Sequence, residues 1–176
     1  LFSSAASDVY KRQPLNILKK SLKNFKGVER RFNKILSFNG AEIYDDYAHH
    51  PTEIKELING VKNSYREKKI ICIFQPHRVS RLNDLKKDFC LSFRKASSVI
   101  LCPVYKAGEN MKLDLNYKKF SEQISKKSKV QVFIVNNQYE LAKFLKQYLK
   151  PKNIVIGMGA GSISNWIKEL STLMKK

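Results

Sequence analysis

The feature that most constrains this chain is a regular exchange of apolar runs and amphipathic helical patterns from Ile35 onward. Lys69–Phe74 (KIICIF), Ser98–Val104, Val130–Val135 (VQVFIV) and Asn153–Ile156 are runs with little polar interruption. Such runs suit strands whose two faces are both covered. Between them lie residues at helical spacing. Ile54, Leu57, Ile58, Val61 and Tyr65 follow Pro51, and Leu82, Leu85, Phe89 and Phe93 follow Ser80, a natural cap. A weaker pattern runs near Asn116–Lys126. Two more are carried by Leu141, Phe144, Leu145, Tyr148 and Leu149 and by Ile163, Trp166, Ile167, Leu170 and Met174. Strands and helices in strict turn predict an α/β fold: a mostly parallel sheet with helices on both faces. Ahead of this series, Ile35–Phe38 and Ala41–Tyr44 flank Asn39-Gly40, a strong hairpin signal. Leu15 to about Lys23 predicts a short helix that stops at Gly27.

A length of 176 residues gives room for one domain and little more, and 43% hydrophobic residues can supply its core. No apolar run approaches the roughly 20 residues that span a bilayer. Residues 1–13 lack the positive opening and the apolar stretch of a signal peptide, so a cytoplasmic setting is expected. Those residues are rich in Ser and Ala, unlike the Lys, Asn and Ile that dominate elsewhere, and Pro14 follows; they read as a leader foreign to the rest. The 3 cysteines, Cys72, Cys90 and Cys102, match neither a disulfide framework nor a zinc spacing. Cys72 and Cys102 sit in apolar runs, as small core residues do.

The charge of +19 (34 Lys+Arg against 15 Asp+Glu) raises a nucleic-acid-binding module as one alternative. The lysines, however, are spread over every polar face rather than gathered into a footprint, and this reading ranks below a small-anion site.

In parallel sheets ligands bind beyond the carboxyl ends of the strands. Three polar clusters fall there: Asp45 to Pro51 (DDYAHHP), Gln75 to Arg81 (QPHRVSR) and Gly157 to Ser162. All 3 histidines lie in the first two. Asp46, His49, His50 and His77 could be read as zinc ligands, but Arg78 and Arg81 add positive charge beside them and favour an anion. A helix starting near Ser80 would add a favourable dipole. The glycine run resembles half of a dinucleotide fingerprint, and tight strand-to-helix packing explains it equally well; no P-loop occurs. No metal site is expected in this chain.

Five stretches, in order, carry a resemblance: FKGVERRF (Phe25–Phe32), YDDYAHHPTEI (Tyr44–Ile54), FQPHRVSR (Phe74–Arg81), VYKAGE (Val104–Glu109) and GMGAGSI (Gly157–Ile163). They resemble the Mur ligases, and within them the branch that joins L-alanine to UDP-N-acetylmuramate. The resemblance covers Leu15 to the C-terminus. It implies an ATP-dependent, amide-forming ligase of peptidoglycan synthesis, represented here by its C-terminal portion and inactive alone. Residues 14–34 would be the tail of a central ATPase domain, and residues 35–176 a Rossmann-like C-terminal domain. ATP and Mg2+ would be held mainly by the missing central domain; UDP-N-acetylmuramate, L-alanine and ATP would be the partners, with no membrane and no nucleic acid.

Residue by residue, the resemblance implies that Arg31 contacts the transferring phosphate and that Asp46 holds the ATP ribose hydroxyls. His49, His77, Arg78 and Arg81 would shape the alanine site, the arginines taking its carboxylate, with Arg31 and His49 nearest the chemistry. Ser162 stands where the family usually has Asp, and Val79 where it has an aromatic residue. A murein tripeptide-recycling ligase is the related alternative; the His77-Arg78 pair, where that relative differs, argues against it.

Overall fold

The computed structural model describes residues 14–24, 28–110, 112 and 115–175. The leader expected at 1–13 and the helix stop expected at Gly27 lie outside the described residues. Helix α1 (Leu15–Asn24) precedes an antiparallel hairpin, β1 (Asn33–Phe38) and β2 (Ala41–Asp46). Its turn is Asn39-Gly40, both left-handed at φ 48° and 74°, the conformation that lets a two-residue loop follow the strand twist. The series continues with α2 (Pro51–Ser64), β3 (Lys69–Phe74), α3 (Val79–Asp84), α4 (Lys86–Phe89) and β4 (Ser98–Leu101). It closes with α5 (Tyr117–Ser128), β5 (Gln131–Ile134), α6 (Gln138–Tyr148), β6 (Asn153–Met158) and α7 (Ile163–Leu173).

The six strands form one sheet in the order β1-β2-β6-β3-β4-β5, parallel throughout except for the β1 hairpin arm. Strand alternation divides the core in two. Tyr44, Ile70, Cys72, Phe74, Val99, Ile154 and Ile156 face Ile54 and Ile58 of α2, Leu82, Phe89 and Phe93 of the α3–α4 region, and Phe120 of α5. Ile43, Ile71, Ile73, Ile100 and Val155 face Leu141 and Leu145 of α6 and Ile163 and Ile167 of α7. Helices therefore cover both faces, as the unbroken apolar strands require.

Two expectations need correction. The helix expected to start at Ser80 and to carry Leu82 through Phe93 is two short helices, broken at Leu85 (φ −108°, ψ 17°). Ser80 does not cap it. Arg78 occupies the cap position at φ 69°, and the N–H groups of Val79 and Ser80 donate to Glu109, at 2.7 and 3.1 Å. A carboxylate from a distant loop satisfies both donors at once, more than one serine hydroxyl could do. Strand β4 also ends at Leu101, short of Val104, since Pro103 has no N–H for the ladder.

Candidate functional site

After β3 the chain turns to one face of the sheet, where Leu82 packs, and after β6 to the other, where Ile163 packs. Neighbouring strands whose connections part in this way leave a crevice beyond their carboxyl ends. The three clusters singled out in the sequence line it.

His49 and His77 meet there edge to face, ring centroids 5.8 Å apart. His49 Nδ1 donates to the Tyr47 carbonyl at 2.9 Å. A carbonyl only accepts, so in neutral His49 the lone pair sits on Nε2. His77 shows the opposite tautomer. Its Nδ1 faces Arg81 Nη1 at 3.2 Å, and since guanidinium only donates, Nδ1 is the acceptor and Nε2 carries the proton. Burial, and then the charge of Arg81, hold the His77 imidazole below its ordinary range. His50 serves the fold: its side chain and Glu53 form a capping box at the start of α2. Burial pushes the Glu53 carboxyl up, but N–H bonds from His49 and His50 outweigh this and leave it below the usual range.

On its other side His77 stacks on Tyr105, centroids 5.6 Å apart and planes 19° apart. Backbone bonds lock this pair: Tyr105 N donates to the Pro76 carbonyl and Arg78 N to that of Tyr105. The Arg78 side chain is exposed and the Arg81 side chain half-buried. The helix dipole expected to aid anion binding is already taken, because Glu109 accepts from Val79, Ser80 and the Ser80 hydroxyl. The Ser80 hydroxyl bond is the leading reason its carboxyl sits below the usual range.

Asp46 is buried, and its two oxygens accept from Phe32 N and Ala48 N, both at 2.8 Å. Burial raises its carboxyl; the two N–H bonds and nearby Arg31 offset only part of that. Arg31 itself is exposed, with its backbone N–H on Asn33 Oδ1.

The glycine run is a packing device. Gly159 lies at φ +149°, and a Cβ there would stand 2.8 Å from the Gln75 carbonyl. A Cβ on Gly161 would stand 2.4 Å from Tyr105 Cγ. Gln75, buried between the two turns, gives Nε2–H to Ser162 Oγ and takes the Ile163 N–H on Oε1, each at 3.0 Å. It thereby caps α7, and Ser162 sits under Gln75.

Sequence reasoning missed Arg30, Tyr105 and Glu109 as parts of this mouth. The quoted VYKAGE stretch held two of them, but with nothing to say where a loop residue would reach. Among the described residues no group of three His, Cys, Asp or Glu side chains is placed to hold a metal ion.

A doubly covered, mostly parallel sheet with imidazole, guanidinium and carboxylate gathered beyond its strand ends at a switch point defines an α/β domain of the kind that holds ligands there. The chain belongs to the Mur ligase family: residues 30–161 match the model described as Mur ligase, glutamate ligase domain. It is 58% identical over 159 residues to the UDP-N-acetylmuramate–L-alanine ligase of Pelagibacter ubique, covering 90% of this chain and 34% of that protein. It is 34% identical over 154 residues to the ligase of the same name from Rhodospirillum rubrum, covering 88% of this chain and 32% of that one. The chain thus spans about a third of the length of these curated relatives. Among solved structures, UDP-N-acetylmuramate–alanine ligase from Thermotoga maritima superposes with a TM-score of 0.73 at 25% identity, over 97% of this chain and 35% of that one. A murein peptide ligase from Psychrobacter arcticus shares the fold, with a TM-score of 0.70 at 20% identity over 88% of this chain and 32% of that one.

Proposed function

We propose that this chain is the ligand-closing C-terminal part of an ATP-dependent ligase that joins L-alanine to UDP-N-acetylmuramate, and that it needs the remaining domains to act. In this reading residues 14–34 are the tail of the central ATPase domain, residues 35–176 form the C-terminal domain, and the enzyme works in the cytoplasm. Among the described residues no helix is long and apolar enough to cross a membrane. The muramate carboxylate attacks the ATP γ-phosphate to give an acyl phosphate and ADP. The amine of L-alanine then displaces phosphate, forming the amide and shedding a proton.

The mouth fits the second step. One edge of the Arg81 guanidinium rests on His77 and its other N–H groups remain for a carboxylate; the exposed Arg78 can join it. His49 Nε2 has the lone pair to accept the proton the amine loses. Arg31, which is exposed, contacts the transferring phosphate in this reading. Asp46 holds the turn that carries Tyr47 to His49, and the free lone pairs of its carboxylate can take ribose hydroxyls. ATP and Mg2+ belong chiefly to the domain outside this chain. The groups act by position and charge.

The observation that carries the reading is the His49–His77–Arg81 succession across one crevice. The test is phosphate release by the full-length protein with ATP, UDP-N-acetylmuramate and L-alanine, and with the murein tripeptide in place of alanine. Turnover with L-alanine is expected; turnover with the tripeptide alone would favour the recycling ligase, and neither would overturn the reading.

A further inference from the structure

The least expected feature of the mouth is Arg30, whose neighbour Arg31 points to solvent while Arg30 turns inward at φ 57°. Its Nη2–H donates to the Gly159 carbonyl at 2.5 Å, and its Nε lies 3.7 Å from Oδ2 of Asp45, whose side chain is 1% exposed. Ser164 at the start of α7 donates to that same carboxylate oxygen. The Arg30 guanidinium carbon stands 4.7 Å from the centre of the Tyr47 ring, and the Arg30 carbonyl accepts the Tyr47 N–H. The Tyr47 ring in turn meets His49 edge-on at 5.1 Å.

We propose that Arg30 is a positioning residue: held by buried Asp45 and by the glycine turn, it fixes Tyr47 and, through Tyr47, the His49 imidazole at the ligand mouth. This rests on the ligase reading above. Tyr47 is 37% exposed, and the guanidinium 4.7 Å from its ring centre is one restraint on it. The Asp45 carboxylate supplies the countercharge that lets a cation lie under the site without repelling the substrate ammonium. Arg30 therefore acts on the amino-acid side of the mouth.

The test uses the full-length enzyme. Arg30→Met keeps the length of the stem and removes the charge and the plane. A rise of about tenfold in the L-alanine KM is expected, roughly 1.4 kcal/mol, with the KM for ATP unchanged. Arg30→Lys should restore little, since a lysine cannot lie flat. Tyr47→Leu, at a half-open surface position, should raise the same KM, and the double variant should be no worse than the poorer single one. Equal rises for ATP and alanine, or full additivity, would overturn the proposal. Should Arg30→Met fail to fold, Tyr47→Leu decides alone: an unchanged alanine KM sinks it. If the unaltered enzyme ligates L-alanine and Arg30→Met shows normal kinetics, only this inference falls; if the unaltered enzyme does not, the ligase reading falls first.

Discussion

His77 turns its Nδ1 to the Arg81 guanidinium at 3.2 Å, an arrangement that only a neutral imidazole can accept. Protonation would set two cationic donors against each other. The pair thus holds His77 in a single tautomer and holds Arg81 in one orientation, and it makes both sensitive to acid.

The first prediction concerns pH. The His77 value in the folded protein lies below the ordinary 6.5. The unfolded chain therefore binds more protons than the folded one in the interval between the two, and stability rises with pH there. Its contribution is fully present above about pH 6.5 and is lost as pH falls through the folded value. In chemical denaturation from pH 5 to 7.5, His77→Gln should flatten the slope below pH 6.5. An unchanged slope would show that the imidazole is not held neutral.

A second prediction follows from Asp46, which takes two backbone N–H groups on a buried carboxylate. Asp46→Ala leaves both donors without a partner and should destabilise by about 1–3 kcal/mol for each group that water cannot reach. Asp46→Asn keeps one oxygen and should lose about half as much. In the full-length enzyme Asp46→Asn should raise the KM for ATP more than that for alanine. If only alanine kinetics move, the ribose role is wrong.

Much of this architecture was legible in the residues because each apolar run is too continuous for a half-solvated strand. Asn39-Gly40 carried its hairpin for a local reason, as both positions must be left-handed. What the chain order could not convey is that β6 inserts between β2 and β3, since strand order depends on packing between distant segments. The same limit hid Glu109, which reaches back some thirty residues to Val79, and Arg30, which reaches Gly159 across the sheet end. That His49, His77 and Arg81 would share one end of the sheet was legible because each follows a buried parallel strand.

Gly161 supplies a third prediction. A Cβ there would lie 2.4 Å from Tyr105 Cγ and 2.7 Å from Gln75 Oε1, so the ring that stacks on His77 would have to move. Gly161→Ala should cost about 1–3 kcal/mol of stability, as overpacking does. Tyr105→Ala in the same chain should recover much of it by vacating the space. A double variant as unstable as Gly161→Ala alone would show that the strain lies elsewhere.

The last prediction returns to Arg81, whose guanidinium is oriented by His77. If it receives the amino-acid carboxylate, Arg81→Ala in the full-length enzyme should reduce kcat/KM for L-alanine by about 2–5 kcal/mol, the usual loss when a charged hydrogen-bonding partner is removed. Arg81→Lys keeps the charge but not the planar fork, so it should recover only part of that. Removing Arg81 also takes a cation away from His77, which should raise the imidazole toward its ordinary value. The rise of stability with pH below about 6.5 should then flatten, a change that loss of carboxylate binding alone would not produce. An Arg81→Ala enzyme with normal alanine kinetics but a shifted His77 titration would leave Arg81 as a guard of the imidazole alone.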